Sequence, residues 1–198
     1  MSQAKQLSPL RQSQQWLADI IKPNDEVVDA TLGNGYDTLF LIDCLRQADG
    51  EVKGFLWGFD IQNQALEATQ IKLNEARVNS ENYSLNLVSH AKLAEIVNSN
   101  QLAAIMFNLG YLPGANKSII TQTQETLKAL DVSKDKLKVA GVISIMCYPG
   151  HEGGNTESDA VVAWAESLDH KQFLVKRVNS EFSSTKSAFL LWIQKIAT

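Results

Sequence analysis

Residues 27–35, Val27-Val28-Asp29-Ala30-Thr31-Leu32-Gly33-Asn34-Gly35, run from an apolar segment into a turn with two glycines. A helix is predicted to follow from about Tyr36 to Ala48. A buried strand that leads through such a turn into a helix is typical of ligand-binding α/β domains, because glycine lets the backbone approach a ligand and the helix N-terminus offers free N–H groups. Thr38 stands where the third glycine of the dinucleotide fingerprint would fall. The turn therefore favours a ligand that packs an amino-acid moiety against it over a pyrophosphate.

Short apolar segments alternate with longer helical patterns along the rest of the chain, which indicates an α/β fold with a mostly parallel sheet. The predicted strands are Glu26–Ala30, Phe55–Asp60, Leu85–Ser89, Ala103–Asn108, Val139–Cys147, Phe173–Val178 and Ala188–Ile196. The further predicted helices cover about 8–21, 62–78, 122–130 and 157–168. In the first of these, Ser8 is the predicted N-cap and Pro9 the first helical residue. The last two strands are joined by a short link without a helix, so they should pair antiparallel. This pattern predicts a Rossmann-like class I methyltransferase fold, with a seven-stranded mostly parallel sheet, helices on both faces and an antiparallel C-terminal strand.

The composition, with 44% hydrophobic and 20% charged residues in 198, suits one globular domain over 1–198, with residues 1–22 forming an N-terminal helix. No apolar run approaches the roughly 20 residues that span a bilayer, and the N-terminus lacks the apolar core of a secretory signal. Cys44 and Cys147 have no metal-like spacing and lie in apolar stretches, so we expect reduced, buried thiols. We therefore expect a cytoplasmic protein with no membrane partner and no metal site. The oligomeric state is not determined, and a homodimer is left open.

The net charge of −4 does not by itself indicate a nucleic-acid-binding protein. Residues 101–150, however, carry five lysines, among them Lys117, against three acidic residues, a balance of +2. A polyanion would approach this segment first. A solvated, lysine-rich helix face is the alternative interpretation.

Polar residues at the ends of the first three predicted strands should meet at one edge of the sheet. Asp29 is placed to bind the ammonium group of a methionine moiety, directly or through water, and Asp60 to accept both ribose hydroxyls, unless it only caps the next helix. Ile61 would pack on the adenine, and Ser89 and His90 would face its exocyclic amine. The candidate cofactor-binding residues are Asp29, Thr31, Gly33, Asn34, Gly35, Asp37, Thr38, Asp60, Ile61, Gln62, Ser89, His90 and Asn108. Together they favour S-adenosylmethionine, although Asp60 would suit NAD equally well.

The fourth predicted strand ends in Asn108-Leu109-Gly110-Tyr111-Leu112-Pro113-Gly114, at the point where the reactive methyl group would lie. Amino-methyltransferases carry an Asn-Pro-Pro-aromatic tetrapeptide there. Asn108 could accept hydrogen bonds from an amine, and Tyr111 could stack on a base. A loop required only by the fold is the alternative.

A second loop, Tyr148-Pro149-Gly150-His151-Glu152-Gly153-Gly154, follows strand five and should face the same cleft. An imidazole titrates near neutral pH, so His151 is a candidate base or orienting group. The candidate catalytic residues are Asn108, Tyr111 and His151. The candidate substrate-binding residues are Leu109, Gly110, Tyr111, Pro113, Lys117, Tyr148, Pro149 and His151.

Four segments, DATLGNGYDTLFL (29–41), GFDIQ (58–62), MFNLGYLPGANKSI (106–119) and YPGHEGG (148–154), together resemble a bacterial family first labelled rRNA methylases. Its characterised members are tRNA methyltransferases of the MnmM type. The resemblance implies S-adenosylmethionine as cofactor and the tRNA anticodon arm as partner. It also implies methylation of the aminomethyl nitrogen of wobble-position 5-aminomethyl(-2-thio)uridine.

Three other functions stay open on the sequence alone. One is a methyltransferase that acts on another RNA base or a small amine. Another is a non-catalytic protein that senses S-adenosylmethionine or a nucleotide, which would not need the polar and aromatic loop at 108–114. The third is an NAD oxidoreductase, which Thr38 and the antiparallel strands disfavour.

Overall fold

The computed structural model describes residues 7–110, 120–150, 153–180, 184 and 187–198. Within these residues the chain forms seven strands and six α-helices. The strands are β1 (Glu26–Asp29), β2 (Phe55–Asp60), β3 (Tyr83–Leu87), β4 (Leu102–Asn108), β5 (Leu137–Cys147), β6 (Phe173–Asn179) and β7 (Phe189–Lys195). The helices are α1 (Pro9–Ile20), α2 (Tyr36–Cys44), α3 (Asn63–Glu75), α4 (Leu93–Ile96), α5 (Thr123–Lys136) and α6 (Gly154–Glu166).

The strands form one sheet in the order β3-β2-β1-β4-β5-β7-β6. Strands β1 to β5 are parallel, whereas β7 lies between β5 and β6 and is antiparallel to both. The predicted fold class is confirmed, including the antiparallel pairing of the last two strands. The strand order reverses beside β1, so the carboxyl ends of β1 and β4 flank the crevice where ligands bind in such sheets.

Both faces of the sheet are covered by helices. On one face the core contains Phe59 and Phe107 with Leu93, Leu130 and Val161 from α4, α5 and α6. On the other face, the buried residues include Leu17, Leu41 and Leu73 from α1, α2 and α3. Among the described residues, no helix is long and apolar enough to cross a membrane.

The N-terminal helix is tied to the sheet by specific contacts. The side chain of Ser8 accepts a hydrogen bond from the Arg11 backbone N (3.4 Å), which confirms the predicted cap. The hydroxyls of Ser13 and Ser144 are 2.6 Å apart, and Trp16 packs edge-on against Trp192 with ring centroids 5.1 Å apart. These contacts to β5 and β7 hold α1 across the sheet.

Several predicted boundaries shift for local reasons. Strand β3 ends at Leu87 rather than Ser89, because the Ser89 side chain caps a short 3-10 helix at 90–92. Helix α2 ends at Cys44 rather than Ala48, since Arg46 pairs with Val52 in an isolated bridge. Helix α5 continues to Lys136 because its buried face extends through Ser133. The short helix α4 was not predicted.

Burial makes both cysteines poor nucleophiles. Cys147 is buried as predicted, and burial raises the pKa of its thiol to about 12. Cys44 is only half-buried, and the same cause, with the charge of Asp43, raises its pKa to about 11. Since the thiolate is the reactive form, neither cysteine is activated near neutral pH.

Gly35 is required by both conformation and space. Its φ is +76°, and a Cβ added there would lie 2.9 Å from Cα of Thr69 on α3. We expect Gly35→Ala to lower the free energy of unfolding by about 2–4 kcal/mol, through left-handed backbone strain and overpacking. The control is Gly50→Ala, where φ is +87° but nothing lies within 4 Å, so only the backbone cost applies. Urea unfolding of both variants measures the difference, and equal losses would contradict the packing argument.

Candidate cofactor and acceptor site

The turn between β1 and α2 is built on the carboxylate of Asp29. This residue is fully buried, and its oxygens accept hydrogen bonds from the Thr31 backbone N (3.2 Å) and the Thr38 hydroxyl (2.6 Å). At the position of the third glycine of the dinucleotide fingerprint, Thr38 provides a hydroxyl that anchors α2 to the end of β1. Direct contact between Asp29 and a ligand ammonium, one of the two predicted modes, is not supported, since Asp29 has no exposed surface.

Asp29 is electrostatically unusual. Burial raises the pKa of its carboxyl from 3.8 to about 7, and the charges of Asp37 and Asp60 act in the same direction. The hydrogen bonds from Thr38 and Thr31 favour the ionised form but do not offset the burial. Asp29 therefore titrates near neutral pH in the folded protein.

Asp60, at the end of β2, links the glycine turn to the neighbouring strand. It accepts hydrogen bonds from the Gly33 backbone N (3.1 Å) and the Gln62 backbone N (3.0 Å). Gln62, not Asp60, is the N-cap of α3. Each carboxylate oxygen keeps a lone pair for a further donor such as a ribose hydroxyl. The adjacent Ile61 is 53% exposed, so an apolar surface faces the cleft where an adenine would pack.

A cleft of about 120 Å³ opens at the carboxyl ends of β1, β2 and β4. It brings together most of the predicted cofactor residues: Thr31, Gly33, Asp60, Ile61, Gln62, Ser89, His90 and Asn108. Sequence reasoning missed four further lining residues: Ile120, Thr121 and Gln122, which precede α5, and Glu125 in its first turn. These side chains have no motif of their own, and the contacts of α5 with the 3-10 helix at 90–92 and of Thr121 with Glu157 and Gly110 bring them to the cleft.

A larger cavity of about 910 Å³ adjoins this cleft. The two share Thr31, Gly33, Asn108 and Gly110, so Asn108 lies where they meet. Predicted residues on the larger cavity are Asn34, Asp37, Leu109 and Tyr148. Helix α1 contributes Leu10, Arg11 and Gln14, which sequence reasoning did not assign to the site.

Tyr148 and Pro149, which follow β5, differ in whether they border a cavity. Tyr148 faces the larger cavity, and burial, followed by the charge of Asp37, raises the pKa of its hydroxyl. Pro149 is buried and borders neither cavity, so its predicted contact with the substrate is not supported. Its neighbour Gly150 lines the cavity instead.

The orientation of Asn108 is set by two contacts. Its backbone N donates to the Thr31 hydroxyl (2.7 Å), and its Nδ2 donates to Asp37 Oδ2 (2.9 Å). A carboxylate can only accept, so the carboxamide nitrogen must face Asp37, which leaves the carboxamide oxygen as an acceptor. The other oxygen of Asp37 accepts from Nε2 of Gln14 (2.8 Å). Asp37 lies in the first turn of α2 but does not cap it, since the N-cap is Gly35.

His90 has a packing role. Its Nδ1 lies 3.2 Å from the Ala30 carbonyl oxygen and its Nε2 lies 3.5 Å from the Thr126 hydroxyl, while burial lowers its pKa. Both ring nitrogens therefore face protein atoms, and the geometry does not support the predicted hydrogen bond to a base. Ser89 borders the cleft and stays a candidate for that contact.

A buried carboxylate on α6 connects this region to the loop after β4. Glu157 is 4% exposed and accepts hydrogen bonds from the hydroxyls of Thr126 (2.8 Å) and Thr121 (2.6 Å). Thr121 in turn pairs with Gly110 through two hydrogen bonds of 2.9 Å, which join the chain just after β4 to the chain just before α5. Sequence reasoning missed Glu157, although its place among the buried positions 154, 157, 158, 161 and 165 of α6 is a detectable signal.

Four predicted site residues, Tyr111, Pro113, Lys117 and His151, lie outside the described residues. Within the lysine-rich segment, three lysines are engaged far from the cleft. Lys134 pairs with Asp135 (3.2 Å), Lys136 donates to the Val97 carbonyl (2.6 Å), and Lys138 pairs with Asp25. They lie near the end of α5 and the start of β5, at the edge of the sheet opposite the carboxyl ends.

The known proteins that resemble this chain are described as methylases or methyltransferases. A family model described as "Putative rRNA methylase" matches residues 56–194. The tRNA (mnm(5)s(2)U34)-methyltransferase, chloroplastic, of Arabidopsis thaliana is 40% identical over 152 residues, which cover 75% of this chain and 56% of that protein. The chain thus spans little more than half the length of that curated relative.

Two crystal structures share the fold over nearly the whole chain. The "putative rRNA-methylase" from Clostridium thermocellum has a TM-score of 0.90 and 32% identity, covering 98% of this chain and 100% of that chain. A "putative methyltransferase" from Streptococcus mutans, solved in complex with SAH, has a TM-score of 0.82 and 32% identity, covering 99% of this chain and 100% of that chain.

The raised pKa of Asp29 makes stability depend on pH in a defined direction. Between about pH 4 and pH 7 the folded state holds a proton on Asp29 that the unfolded state has lost, so this residue's contribution to the free energy of unfolding falls as pH rises. The fall is on the order of 4 kcal/mol for a shift of about three pKa units. Asp29→Asn, a neutral residue of the same shape, should remove this contribution.

Urea unfolding without cofactor, from pH 4.5 to pH 8, measures the effect. The wild-type free energy of unfolding should fall relative to that of Asp29→Asn as pH rises. Parallel curves for the two proteins would show that Asp29 is ionised throughout this range.

Proposed function

The chain belongs to this rRNA methylase family, and from that premise we propose that it is an S-adenosylmethionine-dependent tRNA methyltransferase. Its proposed substrate is the aminomethyl nitrogen of wobble-position 5-aminomethyl(-2-thio)uridine in the anticodon arm. The product is 5-methylaminomethyl(-2-thio)uridine. The name of the Arabidopsis relative supports this choice of nucleoside.

The orientation of Asn108 carries the proposal. Its carboxamide nitrogen is held by Asp37, so its oxygen accepts, and Asn108 borders both the cleft and the larger cavity. An acceptor at this point suits a nucleophile that has N–H bonds, which a primary amine has. It would contribute nothing to a protein that only senses the cofactor.

The residues of the smaller cleft fit S-adenosylmethionine. Asp60 offers carboxylate lone pairs to ribose hydroxyls, the exposed face of Ile61 suits an adenine, and the Gly33 turn leads toward the larger cavity. When bound, this cofactor supplies an electrophilic methyl group, whose transfer forms a C–N bond, breaks a C–S bond and releases a proton from the nitrogen.

The protein's own task is to position a neutral amine. A primary alkyl amine is mostly protonated at neutral pH, so it must lose a proton before it can react, and orientation then supplies much of the rate enhancement. Asn108 holds the nitrogen in this proposal, and Tyr148 borders the space for the uracil. His151 stays a prediction as base or orienting group. The raised thiol pKa values of Cys44 and Cys147 argue against a covalent enzyme–RNA intermediate.

The decisive assay uses purified protein, S-adenosylmethionine and tRNA that bears 5-aminomethyluridine. After digestion, mass spectrometry of the nucleosides should detect 5-methylaminomethyluridine, and tRNA with unmodified uridine should give no product. Methylation of ribosomal RNA in a parallel reaction, with no product on tRNA, would overturn the substrate assignment. No methyl transfer to any RNA, despite cofactor binding, would favour a sensor.

Two variants separate the cofactor site from the acceptor site. Asn108→Ala should bind S-adenosylmethionine normally but lower kcat/KM about a hundredfold, because the amine loses its orientation. Asp60→Ala should instead weaken cofactor binding by about 1–3 kcal/mol, through loss of charge-assisted hydrogen bonds. Calorimetry and single-turnover rates measure the two effects. Near wild-type turnover in Asn108→Ala would show that the loop after β4 is structural.

A further inference from the structure

Asp37 is a carboxylate with neutral partners at the wall of the larger cavity. The hydrogen bonds that it accepts come from the carboxamides of Gln14 (2.8 Å) and Asn108 (2.9 Å). Within the described part of the chain, Asp37 takes part in no ion pair. Asp43 borders the same cavity from the same helix but pairs with Arg46 at 3.0 Å. Among the described residues, no cation pairs with Asp37 to compensate its charge, whereas Arg46 compensates the charge of Asp43.

The field of this carboxylate extends to other groups around the cavity. Burial is the largest cause of the raised pKa of Tyr148, and the charge of Asp37 is the second. The charges of Asp37 and Asp60 also contribute to the raised pKa of Asp29. The other titratable side chains on the cavity are Tyr36 on α2, 69% exposed, and Arg11 on α1, also exposed. Arg11 is the one cationic side chain among the described residues that line the cavity. The interior wall beside Asn108 is thus negative.

We propose that Asp37 is the residue that makes this site specific for a cationic amine acceptor, by attracting the ammonium form and by orienting Asn108 toward the same nitrogen. The inference rests on the proposed function and deepens it. A neutral nucleoside substituent, such as a hydroxyl or a methyl group, would gain nothing from the carboxylate. The aminomethyl group would gain a charge-assisted interaction.

The same charge has an opposite effect on the chemical step. A carboxylate near an ammonium stabilises the protonated form and raises the pKa of the amine. Asp37 therefore favours binding but requires a higher pH for the proton to leave to solvent. Removing the charge of Asp37 should raise KM, and it should shift the acidic limb of the pH profile of kcat to lower pH. A residue that only holds Asn108 in place would not move this limb.

Asp37→Asn separates charge from position. An asparagine oxygen still accepts from Nδ2 of Asn108, and Gln14 can turn its carboxamide to pair with the new amide nitrogen. The variant therefore keeps the hydrogen-bond pattern and loses the charge. Asp43→Asn is the matched control, since it removes a carboxylate from the same helix without contacting Asn108.

The first test measures the binding of two RNA hairpins that carry either 5-aminomethyluridine or uridine at the wobble position. With S-adenosylhomocysteine present to prevent turnover, the wild type and Asp43→Asn should prefer the aminomethyl hairpin about tenfold, as expected for a charge-assisted hydrogen bond. Asp37→Asn should lose this preference and keep its affinity for the uridine hairpin and for S-adenosylhomocysteine. An unchanged preference would overturn the proposal, and so would a loss of cofactor affinity, which would place Asp37 in the cofactor site.

The second test is the pH dependence of single-turnover methylation. We expect the acidic limb to lie at lower pH in Asp37→Asn than in the wild type and in Asp43→Asn. Superimposable profiles would overturn the role of charge. If the wild type methylates aminomethyl tRNA while Asp37→Asn behaves identically, only this inference fails. If the wild type neither methylates that tRNA nor prefers the aminomethyl hairpin, the proposed function fails with it.

Discussion

The buried carboxylate of Asp29 holds together the part of the molecule on which everything else depends. By accepting hydrogen bonds from the Thr31 backbone and the Thr38 hydroxyl, it fixes the end of β1 and the start of α2 in one geometry. Thr31 then receives the backbone N–H of Asn108, which ties the end of β4 to the same turn. The two strand ends that flank the crevice are thus joined through a chain of short hydrogen bonds. A hydrogen-bonded network of this kind favours one arrangement, because any slip would leave a polar group unpaired.

Three carboxylates, of Asp29, Asp37 and Asp60, lie around this turn, and among the described residues none of them forms an ion pair. Burial of Asp29 raises its pKa and costs stability, and the charges of Asp37 and Asp60 add to this cost. Such a cost is typical of functional sites, where like charges are kept close for a ligand of opposite charge. A sulfonium cofactor with an ammonium group and a protonated amine acceptor are both cationic. Under the proposed function, the acidic cleft would recognise these two cations, and the RNA phosphates would bind elsewhere on the surface.

Gly110, two residues after β4, is anchored from a different direction. Glu157 on α6 accepts hydrogen bonds from the hydroxyls of Thr126 and Thr121, and Thr121 is hydrogen-bonded to Gly110. The same network contacts His90, which packs edge-on against Phe107 of β4. Both walls of the cleft therefore share one buried polar cluster. A change in packing at α6 would be felt at Gly110, although the two are far apart in sequence.

The sequence by itself predicted the strands, the mostly parallel sheet with its antiparallel end and the glycine turn, because these follow from local apolar periodicity, from the lengths of the connections and from the conformations that glycine and proline permit. The order of the strands in the sheet came only from the structure. The sequence also predicted Asp60 and Asn108 as site residues from their places at strand ends, and the structure shows that both border the cleft. Only the tertiary structure decided which carboxylates face the cleft and which are buried. It showed Asp29 to be enclosed, His90 to be packed and Pro149 to lie off the cavity, and it brought Gln14, Thr121 and Glu157 to the site from helices and loops without any motif. The physical reason is that a side chain's burial and hydrogen-bond partners depend on elements distant in sequence, and local patterns contain no information about how those elements pack.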